Sequence, residues 1–394
     1  MCLIKYMCPT KSILILLTFV IIACAGTPSH DDIEEKIAQM LIVGFRGYEL
    51  TDDVTIVEDI RERNLGGVIL FDYDVPAGIP ERNIQSPEQV QSLNKSLQNL
   101  TDETLIIAVD QEGGKVNRLK EQYGFPPTVS HQALGEYDDL DSTRAFSSKM
   151  AATLADLGFN LNFAPSVDVN TNPDNPVIGS LERSFSDDPA KVALHSEAFI
   201  KGHRENGVYA TIKHFPGHGS SRDDSHLGMV DVTETWDKLE LEPYRYLIEK
   251  EVVDVIMTAH IINNHLDTDI PATLSQKVLT GMLRSELGYD GIIVSDDMQM
   301  GAIADHYGLE QALKASINAG VDMLIFANNS VYEEDITQRA IGIITGLVES
   351  GEIPRQRIEE SYQRIQKLKQ QFAQHPDSAV LHEAQTTILP FKAE

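Results

Sequence analysis

The stretch YATIKHF, Tyr209 to Phe215, decides the fold. It opens with the apolar, β-branched texture of a strand, yet Lys213 and His214 stand at its end, and Pro216-Gly217 then turns the chain. A lysine that merely solvates itself would more naturally lie on a helix surface. The same pattern recurs along the chain. Short apolar runs fall at LIVGF (41–45), GGVILF (66–71), LIIAVD (105–110), LNFAPSVD (161–168), VIMTAH (255–260), GIIVSDD (291–297) and MLIFAN (323–328), which makes eight candidate strands. Several of them end on polar groups: Asp110, Asp168, Lys213 with His214, His260 and Asp296.

Stretches with helical periodicity lie between the runs, at 189–206, 235–252, 275–287 and 309–319. Near-continuous apolar strands alternating with helices predict a parallel sheet covered on both faces. Eight such units, with ionisable groups at the C-terminal ends of several different strands, predict a (β/α)8 barrel whose active site lies at its mouth. An open doubly wound sheet would gather its ligand groups at one switch point instead. Neither a Gly-x-Gly-x-x-Gly turn nor a phosphate-loop motif is present. One catalytic domain is expected over residues 33–372, closed by an amphipathic helix at 352–372, with a tail at 373–394 too short for a second domain.

The opening of the chain reads as an export signal rather than as part of the fold. Lys5 and Lys11 precede an apolar run, Ile13 to Ala23, that is too short to span a bilayer as a helix. Ile21-Ile22-Ala23-Cys24 resembles a bacterial lipobox, so residues 1–23 are expected to be a lipoprotein-type signal and 24–32 a linker, with Cys24 carrying lipid. Cys2 and Cys8 would leave with the signal, so the exported part would hold no disulfide and no cysteine metal site. The membrane would then be a partner only through that anchor, and the protein would sit in the cell envelope as a monomer. A net charge of -28 over 394 residues argues against nucleic acid as a partner, because phosphate backbones need clustered Lys and Arg. A neutral, sugar-like substrate fits better.

Several constellations carry chemistry. His214 and His218 are four apart, but Pro216 and Gly217 between them make a helical zinc site improbable, and no metal or other cofactor is expected. Lys213 and His214 either hold a polar ligand or bond local backbone. In Asp224-Ser225-His226 the carboxylate can orient the ring and stabilise its cationic form, which suits a general acid/base near neutral pH. Ser295-Asp296-Asp297 ends a strand; Asp296 is given the chemical role and Asp297 a capping role, although strand alternation alone does not fix the phase. Asp110-Gln111-Glu112-Gly113-Gly114 offers a carboxylate and two glycines for a sharp turn. Arg118 and Arg183 add planar forks suited to fixing several hydroxyls.

Together these residues resemble glycoside hydrolase family 3, and within it the bacterial β-N-acetylglucosaminidase branch. The resemblance rests on DQEGGKVNR (110–118), ERSF (182–185), KHFPGHG (213–219), DSHLG (224–228), Met257-Thr258-Ala259-His260 and SDDMQM (295–300), in family order over nearly all of residues 32–330. It implies a (β/α)8 barrel with Asp296 as nucleophile and His226, on a mobile loop and supported by Asp224, as acid/base. It also implies sugar contacts from Asp110, Arg118, Arg183, Lys213 and His214. The expected reaction is retaining hydrolysis of terminal β-linked N-acetylglucosamine from peptidoglycan fragments or chito-oligosaccharides. Competing readings are attack by the substrate's own acetamido oxygen, a β-glucosidase-type exo-glycosidase, and a non-catalytic lipid-anchored glycan-binding barrel.

Overall fold

The computed structural model of the chain describes residues 30–52, 54–225 and 228–373. The expected signal, Cys24, most of the linker, His226 and the tail from residue 374 lie outside the described residues. Eight parallel strands close into a barrel: β1 Leu41–Gly44, β2 Gly67–Leu70, β3 Ile106–Val109, β4 Leu161–Asn162, β5 Tyr209–Phe215, β6 Val255–Thr258, β7 Ile292–Asp297 and β8 Met323–Phe326. Each strand pairs with its successor, and β8 returns to β1 with Leu41 opposite Leu324. Every residue of β1, β2, β3, β5, β6 and β8 is buried, as a sheet covered on both faces requires. Closure leaves no open edge, so the polar ends of the strands converge on one rim.

The helices outside the barrel follow the sequence in most places. Pro189–Arg204 starts on Asp188, whose carboxylate accepts the Ala190 amide at 2.9 Å, and Leu309–Ala319 has the predicted bounds. The segment expected at 235–252 divides into a 3₁₀ turn, Lys238–Leu241, and a helix, Glu242–Glu249. The segment expected at 275–287 is wound as a π-helix, Lys277–Glu286. The closing helix runs Arg355–Ala373.

The run 161–168 departs most from expectation. Only Leu161 and Asn162 join the ladder, and beyond them Ser166 makes a single bridge to Lys213. Pro165 has no N–H to donate and interrupts the strand. Asp168 therefore reaches the rim from an irregular segment and not from a strand end. A second, two-stranded parallel ladder, Val230–Asp231 with Ile261–Ile262, ties the chain after residue 228 to the extension of β6.

The N-terminal end of the barrel is locked by one carboxylate. Asp322, just before β8, is fully buried and accepts from Arg284 (2.5 Å), Arg357 (2.6 Å), Ser361 (2.9 Å) and the Ile293 amide (3.0 Å), with Arg364 at 3.4 Å. Burial opposes its charge, but the three guanidinium groups outweigh that and hold the carboxyl below its ordinary value. Arg357, Ser361 and Arg364 all come from the closing helix, so this carboxylate fastens that helix to the barrel. Asp322→Ala strands several cations around an apolar hole and should cost about 3–5 kcal/mol of stability. Urea unfolding measures this, and a loss below about 1 kcal/mol would contradict the assignment.

Candidate functional site

The loop leaving β3 is shaped before any ligand arrives. The Asn162 amide on β4 accepts from the Gln111 amide (2.9 Å) and donates to the Gln111 carbonyl (2.8 Å), pinning both sides of that residue. The Gln111 side chain in turn accepts the amides of Arg118 (3.0 Å) and Leu119 (3.1 Å). Gly113 and Gly114 take positive φ of 99° and 59°, and a Cβ on Gly113 would lie 2.3 Å from the Val129 carbonyl oxygen. The loop thus turns back tightly and sets Asp110, Glu112 and Arg118 at the rim.

Glu112 is the centre of the charge network. It accepts a fork from Arg183, Nε at 2.9 Å and Nη2 at 2.7 Å, and meets the Lys213 ammonium at 2.7 Å. Lys213 also donates to Asp110 at 2.8 Å, and Arg183 donates to the Val177 carbonyl at 2.8 Å. Burial alone would raise the Glu112 carboxyl, but Arg183 and Lys213 hold it well below the carboxylate range. The same pairing raises Arg183 against its own burial. The Arg183 backbone is fixed as well. Glu182 before it sits at φ 59°, and the buried His131 donates from Nδ1 to the Arg183 carbonyl at 2.8 Å. Burial pushes His131 down to about 4, so that ring is neutral.

His214 occupies the other side of Arg183. Its Nε2 lies 3.1 Å from Arg183 Nη2, so that nitrogen accepts and Nδ1 carries the hydrogen toward Asp168 at 2.7 Å. Asp168 also accepts from Ser166 (2.9 Å) and from the amides of His214 (3.2 Å) and His218 (2.8 Å). Burial works against this carboxylate, but His214 and these bonds outweigh it and keep the group below its ordinary value. Arg118 is the outermost member, 3.8 Å from Asp110 and 5.5 Å from the Phe71 ring, with a buried Nε that has no partner among the described residues. Asp110 and Arg118 keep 18% and 29% of their side-chain surface, whereas Glu112 keeps 1%. The outer pair is open to a ligand; the inner carboxylates position.

The strand-end aspartates of β7 divide as follows. Asp296 is half-buried, and its Oδ1 accepts the Asp297 amide at 2.8 Å. Asp297 is buried, and its Oδ1 accepts the amides of Gln299 (3.1 Å) and Ala327 (3.0 Å). Asp297 therefore ties the turn to β8; the next helix, Gly301–Ala304, begins instead at Met300, which gives no side-chain bond. Asp296 lies at the same barrel end as the network, two strands from β5 with β6 between.

The segment after β5 has a fixed stem. Trp236 donates to the Pro216 carbonyl (3.1 Å), Asn175 to the carbonyls of His218 (2.7 Å) and Gly219 (3.1 Å), and Asn172 to that of Ser221 (2.7 Å). The buried Glu240 accepts the Gly219 amide at 2.9 Å, and His218 Nε2 lies 3.3 Å from Ser225 Oγ. Asp224, part-buried, follows on this stem, and His226 lies outside the described residues.

Of the residues read from the sequence, Asp110, Arg183, Lys213 and His214 share one continuous network, with Arg118 beside it. Two members were not in that reading of the site. Glu112 lay inside a quoted motif but drew no role, and Asp168 was noted only as a strand-end group; their partners are 71 and 46 residues away, so no local spacing announces them.

Residues 32–368 match the family described as Glycosyl hydrolase family 3 N terminal domain. A β-hexosaminidase of Tolumonas auensis is 38% identical over 312 residues, covering 78% of this chain and 86% of its own length. β-Hexosaminidase A of Pseudoalteromonas piscicida is 34% identical over 84% of this chain, which spans only 57% of that protein. Among solved structures, a glycoside hydrolase family 3 β-N-acetylglucosaminidase from Paenibacillus sp. str. FPU-7 superposes with a TM-score of 0.79 at 35% identity, over 91% of this chain and 66% of its own.

Glu240 gives the site region a pH signature. Burial, with the charge of Asp168 added, pushes its carboxyl up to about 8, so the folded protein keeps a proton that the unfolded chain releases near 4.5. Stability from this group is full at low pH and is lost as pH rises from about 4.5 to about 8. Glu240→Gln cannot ionise, so its melting temperature should improve relative to the native chain from pH 5 to pH 9. A pH-independent difference between the two would contradict this.

Proposed function

Because this chain belongs to glycosyl hydrolase family 3, we propose that it is a retaining exo-β-N-acetylglucosaminidase acting on terminal β-linked N-acetylglucosamine. The observation that carries the reading is the Arg183–Glu112–Lys213–Asp110 network with His214, set at the same barrel end as Asp296. Such a cluster of part-exposed and buried charges is suited to gripping several hydroxyls of one sugar in a fixed pose.

In the proposed first step an Asp296 oxygen attacks the anomeric carbon as His226 gives its proton to the departing glycosidic oxygen. The bond to the aglycone breaks and a glycosyl-aspartate forms. In the second step His226 takes a proton from water, whose oxygen attacks the same carbon and frees Asp296, so two inversions return the β-anomer. Asp224 would orient and charge-stabilise the imidazole. An imidazole in place of a second carboxyl avoids two like charges side by side, which would push one pKa upward. The hydrogen bond from the Asp297 amide supports a carboxylate held in a fixed orientation at Asp296. The apolar run at 13–23 and Cys24 support an exported, lipid-anchored protein meeting envelope glycans, with peptidoglycan fragments or chito-oligosaccharides as substrates.

Aryl β-N-acetylglucosaminide should be turned over and aryl β-glucoside strongly disfavoured, with proton NMR showing the β-anomer as first product. A preference for the glucoside would refute the substrate, and a first product of α configuration would refute the double displacement. Asp296→Ala should abolish turnover with the fold intact; near-native activity would refute the nucleophile. Glu112→Gln leaves Lys213 and Arg183 without their common carboxylate, and should lower kcat/KM roughly a hundredfold, the scale of a one-ångström misplacement. An unchanged kcat/KM would show that the network does not position the sugar.

A further inference from the structure

The histidine that ends the β6 run, His260, is completely buried at the rim. Its Nε2 lies 3.0 Å from the Asp297 carbonyl oxygen. A carbonyl can only accept, so Nε2 carries the hydrogen in this bond. The other ring nitrogen, Nδ1, lies 2.8 Å from Thr273 Oγ1, which is itself 2.8 Å from Thr258 Oγ1 and 3.0 Å from the Ala259 carbonyl oxygen. Thr258 and Thr273 are fully buried as well. A short polar chain from β6 and the Ala272–Leu274 turn thus terminates on the backbone of β7.

The point where it terminates is one peptide beyond Asp296. The peptide plane between Asp297 and Met298 is held on both edges, its carbonyl by His260 and its N–H by the Ile325 carbonyl of β8 at 2.9 Å. Asp297 also holds Ala327 and Gln299 through its carboxylate, while its own N–H is the donor to Asp296 Oδ1. With the following plane clamped and the side chain tied, little freedom remains in the N–H that aims the Asp296 carboxylate. We infer that His260 is a positioning residue for the nucleophile: through the Asp297 carbonyl it fixes the backbone that orients Asp296. This rests on the proposed role of Asp296, which the experiment below tests separately.

The test compares His260→Phe, which keeps a flat ring but loses the donor, with His260→Gln, which retains an N–H, and with Thr273→Val, which removes the hydroxyl facing Nδ1 at constant volume. Each is assayed for kcat on an activated aryl β-N-acetylglucosaminide, for the inhibition constant of free N-acetylglucosamine, and for melting temperature, with Asp296→Ala alongside. Expected is a fall in kcat of ten- to a hundredfold for His260→Phe with the inhibition constant within about twofold, because the Asp297 backbone that His260 holds aims the attacking carboxylate and not the groups that grip the sugar. His260→Gln should recover most of that loss and Thr273→Val should show a smaller one. A folded His260→Phe with kcat within twofold of native overturns the inference, as does a loss of kcat and sugar binding in parallel. If His260→Phe does not fold, an unchanged kcat for Thr273→Val overturns it equally. Retained activity in Asp296→Ala instead overturns the nucleophile reading itself.

Discussion

A carboxylate with almost no access to water holds two cations at once, and the site follows from that constraint. An isolated ionised Glu112 would be prohibitively unfavourable at its depth, so it exists as a carboxylate only with Arg183 and Lys213 in place. Neither cation can swing away without leaving it uncompensated. Lys213 is thereby aimed between Glu112 and Asp110, and Arg183 is turned so that one edge of its fork reaches His214. The cost of ordering these long side chains is met by folding and not by substrate binding, which is what preorganisation requires.

The two ends of the barrel use buried charge differently. At the N-terminal end, three arginines converge on Asp322, two of them from the closing helix, which they fasten to the barrel. At the C-terminal end the buried carboxylates Glu112 and Asp168 are equally committed, but they hold a second layer of part-exposed groups, Asp110 and Arg118, facing the rim. This division is that of a barrel whose one end serves stability and whose other end serves chemistry. In a chain of net charge -28, Arg118, Arg183 and Lys213 form a local cationic cluster that acidic neighbours keep fixed.

Much of the barrel was legible because its strands are short, apolar and wholly buried, a local signal that needs no knowledge of partners. Tyr209–Phe215 and Leu309–Ala319 have the bounds that the periodicity suggests. The run at 161–168 misleads because apolar texture persists where Pro165 removes a ladder donor. Gly113 and Gly114 were readable as a turn, since only the absence of a side chain admits their backbone. The roles of Glu112, Asp168 and Glu240 were not, because each depends on a partner brought near by barrel closure. Asp297 lies between these cases: a capping role, its carboxylate accepting free backbone N–H groups, was the reading, and the amides it accepts are those of Gln299, ahead of the helix that begins after Met300, and of Ala327, just past β8.

The central claim is that this preorganised rim presents one sugar to Asp296 for covalent attack. Peptide mapping by mass spectrometry, after the protein is trapped with an activated fluorinated sugar donor that forms the intermediate faster than it breaks down, tests it most directly. The account predicts one sugar adduct on Asp296 in the 295–300 segment. No adduct under conditions that inactivate the protein, or an adduct on another carboxylate, would contradict it.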